Sequence, residues 1–165
     1  MHAVVPQEYW QAFAVTSEDD SLITSVVADD AWVIFATASG HVVSIAPDSR
    51  RRNWQFDILG RISAQIKRDG EFIYVAAEDT KLYKLDAQTG GQEWVQPFLA
   101  EAPLTTAPVV GSERVYQYAG RKGLYGVDKE TGRQVWNLPE GVEVISEFDG
   151  RAYVFAEPGR LVVMD

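Results

Sequence analysis

Short runs of alternating apolar and polar residues fill this chain, and turn residues separate them. Residues 23–28, 32–37, 41–46 and 53–57 read as four successive strands. The order returns at 62–66, 72–77, 81–85 and 92–95, and again at 105–110, 114–118, 123–127 and 134–137. A fourth unit offers three strands, at 142–147, 152–156 and 161–164. One more strand-like stretch, residues 8–15, stands before the first unit. Asp69-Gly70, Thr89-Gly90 and Asp149-Gly150 supply the tight turns. No long 3.6-residue period appears, so the chain reads as all-β. Pro108 falls in the first strand of its unit, where an innermost strand with one unpaired edge tolerates it.

Four tryptophans mark the period of this pattern. Trp10, Trp54, Trp94 and Trp136 are 44, 40 and 42 residues apart. The two clearest copies are KLYKLDAQTGGQEW, ending at Trp94, and GLYGVDKETGRQVW, ending at Trp136. Asp86 and Asp128 precede their tryptophans by the same offset, as do Thr89-Gly90 and Thr131-Gly132. The copy before Trp54 has drifted, with Ala46 at the Asp position and Ser49-Arg50 at the Thr-Gly position. A partial copy, GRLVVMD, reaches the Asp position at Asp165. A four-stranded unit repeated every forty-odd residues is the signature of β-propeller blades.

These residues resemble the repeats of the PQQ-like (pyrroloquinoline-quinone-type) propeller family. That family includes quinoprotein dehydrogenases and the barrel-assembly lipoprotein of bacterial outer membranes. Its pattern is an aromatic-aliphatic strand, an Asp, a Thr-Gly turn and a Trp. The resemblance implies that Trp10, Trp54, Trp94 and Trp136 dock between blades. Asp86, Thr89, Gly90, Asp128, Thr131 and Gly132 would then be structural turn residues, not calcium ligands. The family's enzymes use an eight-blade ring, a vicinal cysteine pair, a calcium ion and a catalytic Asp. This chain has no cysteine and about half the blades, so the resemblance implies the scaffold without the cofactor.

The expected architecture is a single propeller domain over residues 1–165. Its blades are 22–57, 62–98, 104–138 and 141–165. Residues 8–15 carry Trp10 in the fourth-strand position and would complete the last blade, closing a monomeric ring of four. Closure removes exposed sheet edges. Two other arrangements stay open: a piece of a larger propeller, and a homodimer of half-rings making eight blades.

The search for chemistry returns little. His2 and His41 belong to no metal-ligand cluster. No nucleophile elbow or phosphate-binding glycine loop is present. No catalytic residue, cofactor or metal site is assigned. No stretch approaches the length of a membrane helix, and the N-terminus lacks a signal-peptide pattern. That reads as cytoplasmic for the chain as written, and periplasmic for a mature or excised domain.

Net charge is −9, which argues against nucleic acid and anionic membranes. With strands named A to D in each unit, the D–A and B–C loops share one face. That face carries Glu18, Asp19, Asp20, Asp57, Glu78, Asp79, Glu101, Glu140 and Glu157 against Arg61, Arg121 and Lys122. The opposite face is nearly balanced. The reading taken forward is a non-catalytic scaffold presenting the acidic face to a protein or peptide, basic in character. The first seven of those acids are the candidate partner-binding residues. The alternative is a small-ligand binder or enzyme at the axial mouth, lined by Thr24, Ser63, Thr105 and Thr106.

Overall fold

A computed structural model describes residues 22–165. The first unit contains β1 (Ile23–Ala28), β2 (Val33–Thr37), β3 (His41–Ile45) and β4 (Arg52–Asp57). The second contains β5 (Lys67–Asp69), β6 (Phe72–Ala76), β7 (Lys81–Asp86) and β8 (Phe98–Leu99). The third contains β9 (Val109–Val110), β10 (Arg114–Tyr118), β11 (Leu124–Asp128) and β12 (Gln134–Leu138). The fourth contains β13 (Gly141–Phe148), β14 (Arg151–Ala156) and β15 (Arg160–Met164). Each unit is an antiparallel meander, four-stranded in the first three and three-stranded in the fourth. The fold is an all-β propeller built from these blades. The expected closing strand at residues 8–15, with Trp10, lies outside the described residues.

The innermost and outermost strands of the middle blades depart from the expected limits. Residues 62–66 form no ladder, and the second blade's A strand is only Lys67–Asp69. The side-chain alternation is nevertheless present: Ile62, Ala64 and Ile66 are buried, while Ser63 and Gln65 are exposed. The stretch is extended but lacks a strand partner, and Ile66 N–H donates instead to Ser25 Oγ across the blade boundary. In the third blade, Pro103 precedes the corresponding stretch and Pro108 lies within it; the two lack N–H donors, and only Val109–Val110 is paired. Residues 92–95 keep a single bridge, Leu85 to Gln92. The Gln92 side chain folds back to donate to Trp94 O at 2.8 Å, and the ladder resumes only after Pro97.

Three apolar clusters stitch the blades in series. Ile34, Ala36 and Val42 of the first blade meet Ile73, Val75 and Leu85 of the second. Tyr74, Leu82 and Trp94 of the second meet Val115, Tyr125 and Val127 of the third. Tyr116, Leu124 and Trp136 of the third meet Ala152 and Val154 of the fourth. Among the described residues, no cluster joins the fourth blade to the first.

The Asp and Thr-Gly residues build one recurrent turn. Asp86 Oδ1 accepts Thr89 N–H at 2.6 Å and Thr89 Oγ1 at 2.8 Å, and Asp128 Oδ1 accepts the same pair from Thr131 at 2.7 and 2.6 Å. Gly90 and Gly132 both take φ +73°, and the preceding blade's tryptophan covers each. A Cβ on Gly90 would stand 2.5 Å from the Trp54 ring, and one on Gly132 2.5 Å from Trp94. Trp54 Nε1 donates to Ala87 O at 3.0 Å, and Trp94 Nε1 to Lys129 O at 3.2 Å. The drifted turn keeps the backbone form. Arg50 takes φ 58° in the glycine position, and its N–H donates to Ala46 O at 2.9 Å.

Candidate interaction face

The backbone bonds fix which loops lie together. Glu78 N–H donates to Arg61 O, Ala100 N–H to Thr80 O, and Glu157 N–H to Glu140 O, so the B–C and D–A loops form one rim. Ala87 N–H to Glu71 O and Lys129 N–H to Glu113 O tie the A–B and C–D loops into the other.

On the first rim, Asp57, Glu78, Asp79, Glu101, Glu140 and Glu157 can be placed. Glu18, Asp19 and Asp20 lie outside the described residues. Asp57 and Glu101 are well exposed, with side chains at 65% and 68% accessibility. Gln55 Nε2 donates to Asp57 at 2.7 Å and His41 Nδ1 lies 2.7 Å away, and these contacts hold the Asp57 carboxyl below its ordinary range. Glu101 pairs with Lys122 at 3.2 Å, and Glu78 with Arg61 at 3.8 Å.

Asp79 is different. It is only 12% exposed, accepts Tyr83 Oη at 2.5 Å and Lys81 N–H at 3.2 Å, and so shapes the B–C turn. Burial and this bond push the Tyr83 phenol well above its usual value. Arg160, absent from the charge count made on loops, opens β15 on this rim and pairs with Glu140 at 3.0 Å. The described part of the rim is therefore less acidic than the loop count implied. Between Asp57 and Arg61 stands Leu59, wholly exposed at 100%.

Of the four axial candidates, Ser63, Thr105 and Thr106 are exposed and Thr24 is half-buried. Thr24 Oγ1 donates to Ala36 O, and Thr106 Oγ1 to Tyr118 O, so both hydroxyls serve the backbone of their own blade. A hollow of about 480 Å³ runs beside β1 and residues 65–68. Among the described residues, no three His, Asp or Glu converge as a metal site would need. No described helix is long and apolar enough to cross a membrane.

One buried charge escaped the sequence reading. Lys84 sits in the middle of β7 at 7% exposure, its ammonium 4.0 Å over the Phe72 ring and donating to Lys129 O at 3.1 Å. Desolvation lowers its pKa. The signal was a lone lysine inside an apolar strand, at the position occupied by Ser44 and Gly126 in the neighbouring blades.

A family profile described as outer membrane protein assembly factor BamB matches residues 38–165. The chain belongs to that family. No curated protein matches it by sequence. Among solved structures it is similar to BamB from Moraxella catarrhalis, with 18% identity and a TM-score of 0.67. That match covers 89% of this chain and 48% of the other, so this chain spans about half the length of that BamB. The computationally designed Ika4 protein gives a TM-score of 0.70 at 15% identity, covering 94% and 98% of the two chains. The designed Ika8 protein gives 0.69 at 15% identity, covering 86% and 45%. These likenesses establish the fold.

Proposed function

We propose that this assembly-factor-family propeller is a non-catalytic docking platform. Its D–A and B–C rim would receive a partner segment carrying both basic and apolar residues. The observation that carries the reading is Leu59. A fully exposed leucine beside the exposed carboxylate of Asp57 offers an apolar anchor within an acidic surround. The rigid blade scaffold fits such a role, because loops held by stitched sheets present side chains at fixed positions. The rim charge would speed the approach of a cationic segment and make binding salt-sensitive, since screening acts over about 8 Å at physiological ionic strength.

The test uses a synthetic peptide of alternating lysine and leucine, followed by fluorescence anisotropy at low and physiological salt. Asp57→Lys with Glu101→Lys should weaken binding about tenfold, and Leu59→Ala should weaken it by a similar factor. Arg50→Glu and Arg51→Glu on the opposite rim should leave it unchanged; Arg52 is spared because its guanidinium donates to Gln55, which in turn holds Asp57. Asp79 is spared because its reversal would break the turn. Binding lost with the arginine set and kept with the first set would place the docking surface on the other rim. A second arm adds Glu18, Asp19 and Asp20 to the reversed set and should weaken binding further.

A further inference from the structure

Lys84 is a buried ammonium with no carboxylate to hold it. It stands in the middle of β7, 4.0 Å over the Phe72 ring, and its Nζ donates to Lys129 O at 3.1 Å. That oxygen already accepts Trp94 Nε1 at 3.2 Å. Among the described residues, no acid forms an ion pair with Lys84. Lys81, Lys122 and Lys129 differ in this respect. They pair with Asp79, Glu101 and Asp69, and an adjacent anion favours the charged form of an amine. A cation taken out of water without such an anion loses part of its preference for charge. The equivalent sites in the neighbouring blades hold Ser44 and Gly126, so this amine is particular to the joint between the second and third blades.

The amine is also within reach of a ligand. Lys84 forms part of the wall of a hollow of about 690 Å³ between these two blades. Phe72 and Glu93 line it from the second blade, and Ser112, Glu113 and the turn at 128–130 line it from the third. It lies among the A–B and C–D loops, on the rim opposite Leu59. The groups around the amine come from every neighbouring element. Desolvation is the largest influence and lowers its pKa; the Lys129 ammonium lowers it further, while Glu93, Glu130 and Asp69 act the other way. Tyr74, opposite Lys84 in β6, keeps its phenol protonated because burial raises it. Desolvation and a second cation nearby are two of the means by which proteins turn a lysine into a nucleophile.

We infer that Lys84 is a covalent anchor for small uncharged or cationic aldehydes, which enter the hollow and form an imine on its Nζ. The ammonium first gives up a proton to water, and the free nitrogen attacks the carbonyl carbon. A C–N bond forms as the C=O π pair moves onto oxygen. That oxygen takes one proton from the nitrogen and one from solvent, and leaves as water. The product iminium carries the single positive charge that the ammonium carried, so the Phe72 face stabilises it in the same way. The hollow also selects by charge. The carboxylates of Glu93, Glu113, Asp128 and Glu130 line it against the ammoniums of Lys84 and Lys129, which disfavours an anionic carbonyl compound. The inference does not depend on the docking role of the other rim.

The experiment treats the whole chain near neutral pH with propanal and sodium cyanoborohydride, which reduces an iminium to a stable secondary amine. Peptide mass spectrometry then maps the propyl groups over the five lysines, Lys67, Lys81, Lys84, Lys122 and Lys129. The α-amino group also reacts and is read separately in the same map. Label at Lys84 should exceed that at each other lysine by about tenfold, and should reach half its maximum at a lower pH than label at Lys122. In concentrated urea the five lysines should label alike, because the preference belongs to the fold. Glyoxylate, an anionic aldehyde, should show no preference for Lys84. Lys84→Arg keeps a cation over Phe72, so it should leave the melting temperature unchanged while label at the other four lysines stays as before. Lys84 labelled no faster than the ion-paired lysines overturns the inference. So does a preference that persists in urea, or one that glyoxylate shares.

Discussion

The joint between the second and third blades and the joint between the third and fourth use the same tryptophan in the same place, yet the two rings meet different partners. Trp94 lies on Gly132 of the next blade, is 2% exposed, and donates to Lys129 O. That carbonyl also accepts Lys84 Nζ, so one oxygen serves two donors from the preceding blade. Among the described residues, Trp136 covers no turn of the next blade. It lies over Gly126 of the neighbouring strand β11, where a Cβ would stand 2.4 Å from the ring. The joint is held elsewhere. Glu147 accepts Ser112 N–H at 2.6 Å, Ser112 Oγ at 2.8 Å and Tyr116 Oη at 2.7 Å. The contrast is one of partners: Trp54 and Trp94 each lie on the next blade's turn glycine and donate to a carbonyl of that turn, whereas the Trp136 Nε1 is buried without an acceptor.

The largest expected effect separates the two tryptophans. Trp94→Ala should cost about 3–5 kcal/mol, because it empties the centre of a buried cluster. Trp136→Ala should cost less by about 1 kcal/mol, the net worth of a hydrogen bond it does not make. Phenylalanine at each site isolates that difference. Trp94→Phe should lose the bond, whereas Trp136→Phe should relieve a buried unpaired donor and be neutral or stabilising. Urea unfolding reads all four. Equal losses for the two phenylalanine variants would mean that the joints are energetically alike and that the orphan N–H is immaterial.

The glycines offer the next test. Gly132 and Gly150 share φ +73°, but a Cβ on Gly132 meets Trp94 at 2.5 Å while one on Gly150 has nothing within 4 Å. Gly150→Ala should cost about 1 kcal/mol for the left-handed backbone alone. Gly132→Ala should cost about 2 kcal/mol more, because the ring must move. Similar losses would show that Trp94 yields freely, contrary to its role as the anchor of the second joint.

Acid should loosen the two joints through different groups. The Thr131 hydroxyl and N–H hold the Asp128 carboxyl below its ordinary value of 3.8. Burial raises Glu147, but the bonds from Ser112 and Tyr116 outweigh it and leave its pKa below 4.5. Both groups release protons more readily folded than unfolded. Each therefore adds stability that is present above its unfolded pKa and lost as pH falls through the folded one. Asp128→Asn and Glu147→Gln should each flatten the decline in stability between about pH 5 and pH 3. An unchanged pH profile for Glu147→Gln would remove it as the clasp of the outer joint.

Much of this was legible in the chain because the repeat is carried by residues with one physical task each. The Asp-Thr-Gly turns and the tryptophan spacing revealed the propeller and its family. The strand limits were less legible where backbone pairing and side-chain alternation part company. Residues 62–66 alternate correctly but have no ladder, and Pro103, Pro108 and Pro97 thin the ladders beside them. The rim was the least legible. Counting charges by loop could not tell Asp79, bound into a turn by Tyr83, from exposed Asp57, nor bring Arg160 to Glu140. Nor could it find Lys84, whose role depends on a carbonyl in the next blade.

The drifted turn of the first blade provides the smallest and most specific test of the comparison. Residues 46–50 keep the backbone bonds of the two clear copies, with Ala46 N–H donating to Arg51 O and Arg50 N–H to Ala46 O, both at 2.9 Å. What is missing is the carboxylate that gathers the turn. In the intact copies, Asp86 Oδ1 accepts Gln88 N–H, Thr89 N–H and Thr89 Oγ1. Ser49 already offers an N–H and a hydroxyl at the threonine position, so Ala46→Asp would find two of its donors in place. The gain should be about 0.5–1 kcal/mol, the worth of a side chain capping backbone N–H groups, less the repulsion from nearby Asp48. Thermal unfolding of the single variant, and of Ala46→Asp with Ser49→Thr, measures it. A gain that grows with Ser49→Thr means the turn is a degraded copy held in the same geometry. No gain in either means that the first blade's turn is shaped by other contacts and that its likeness to the other two ends at the backbone.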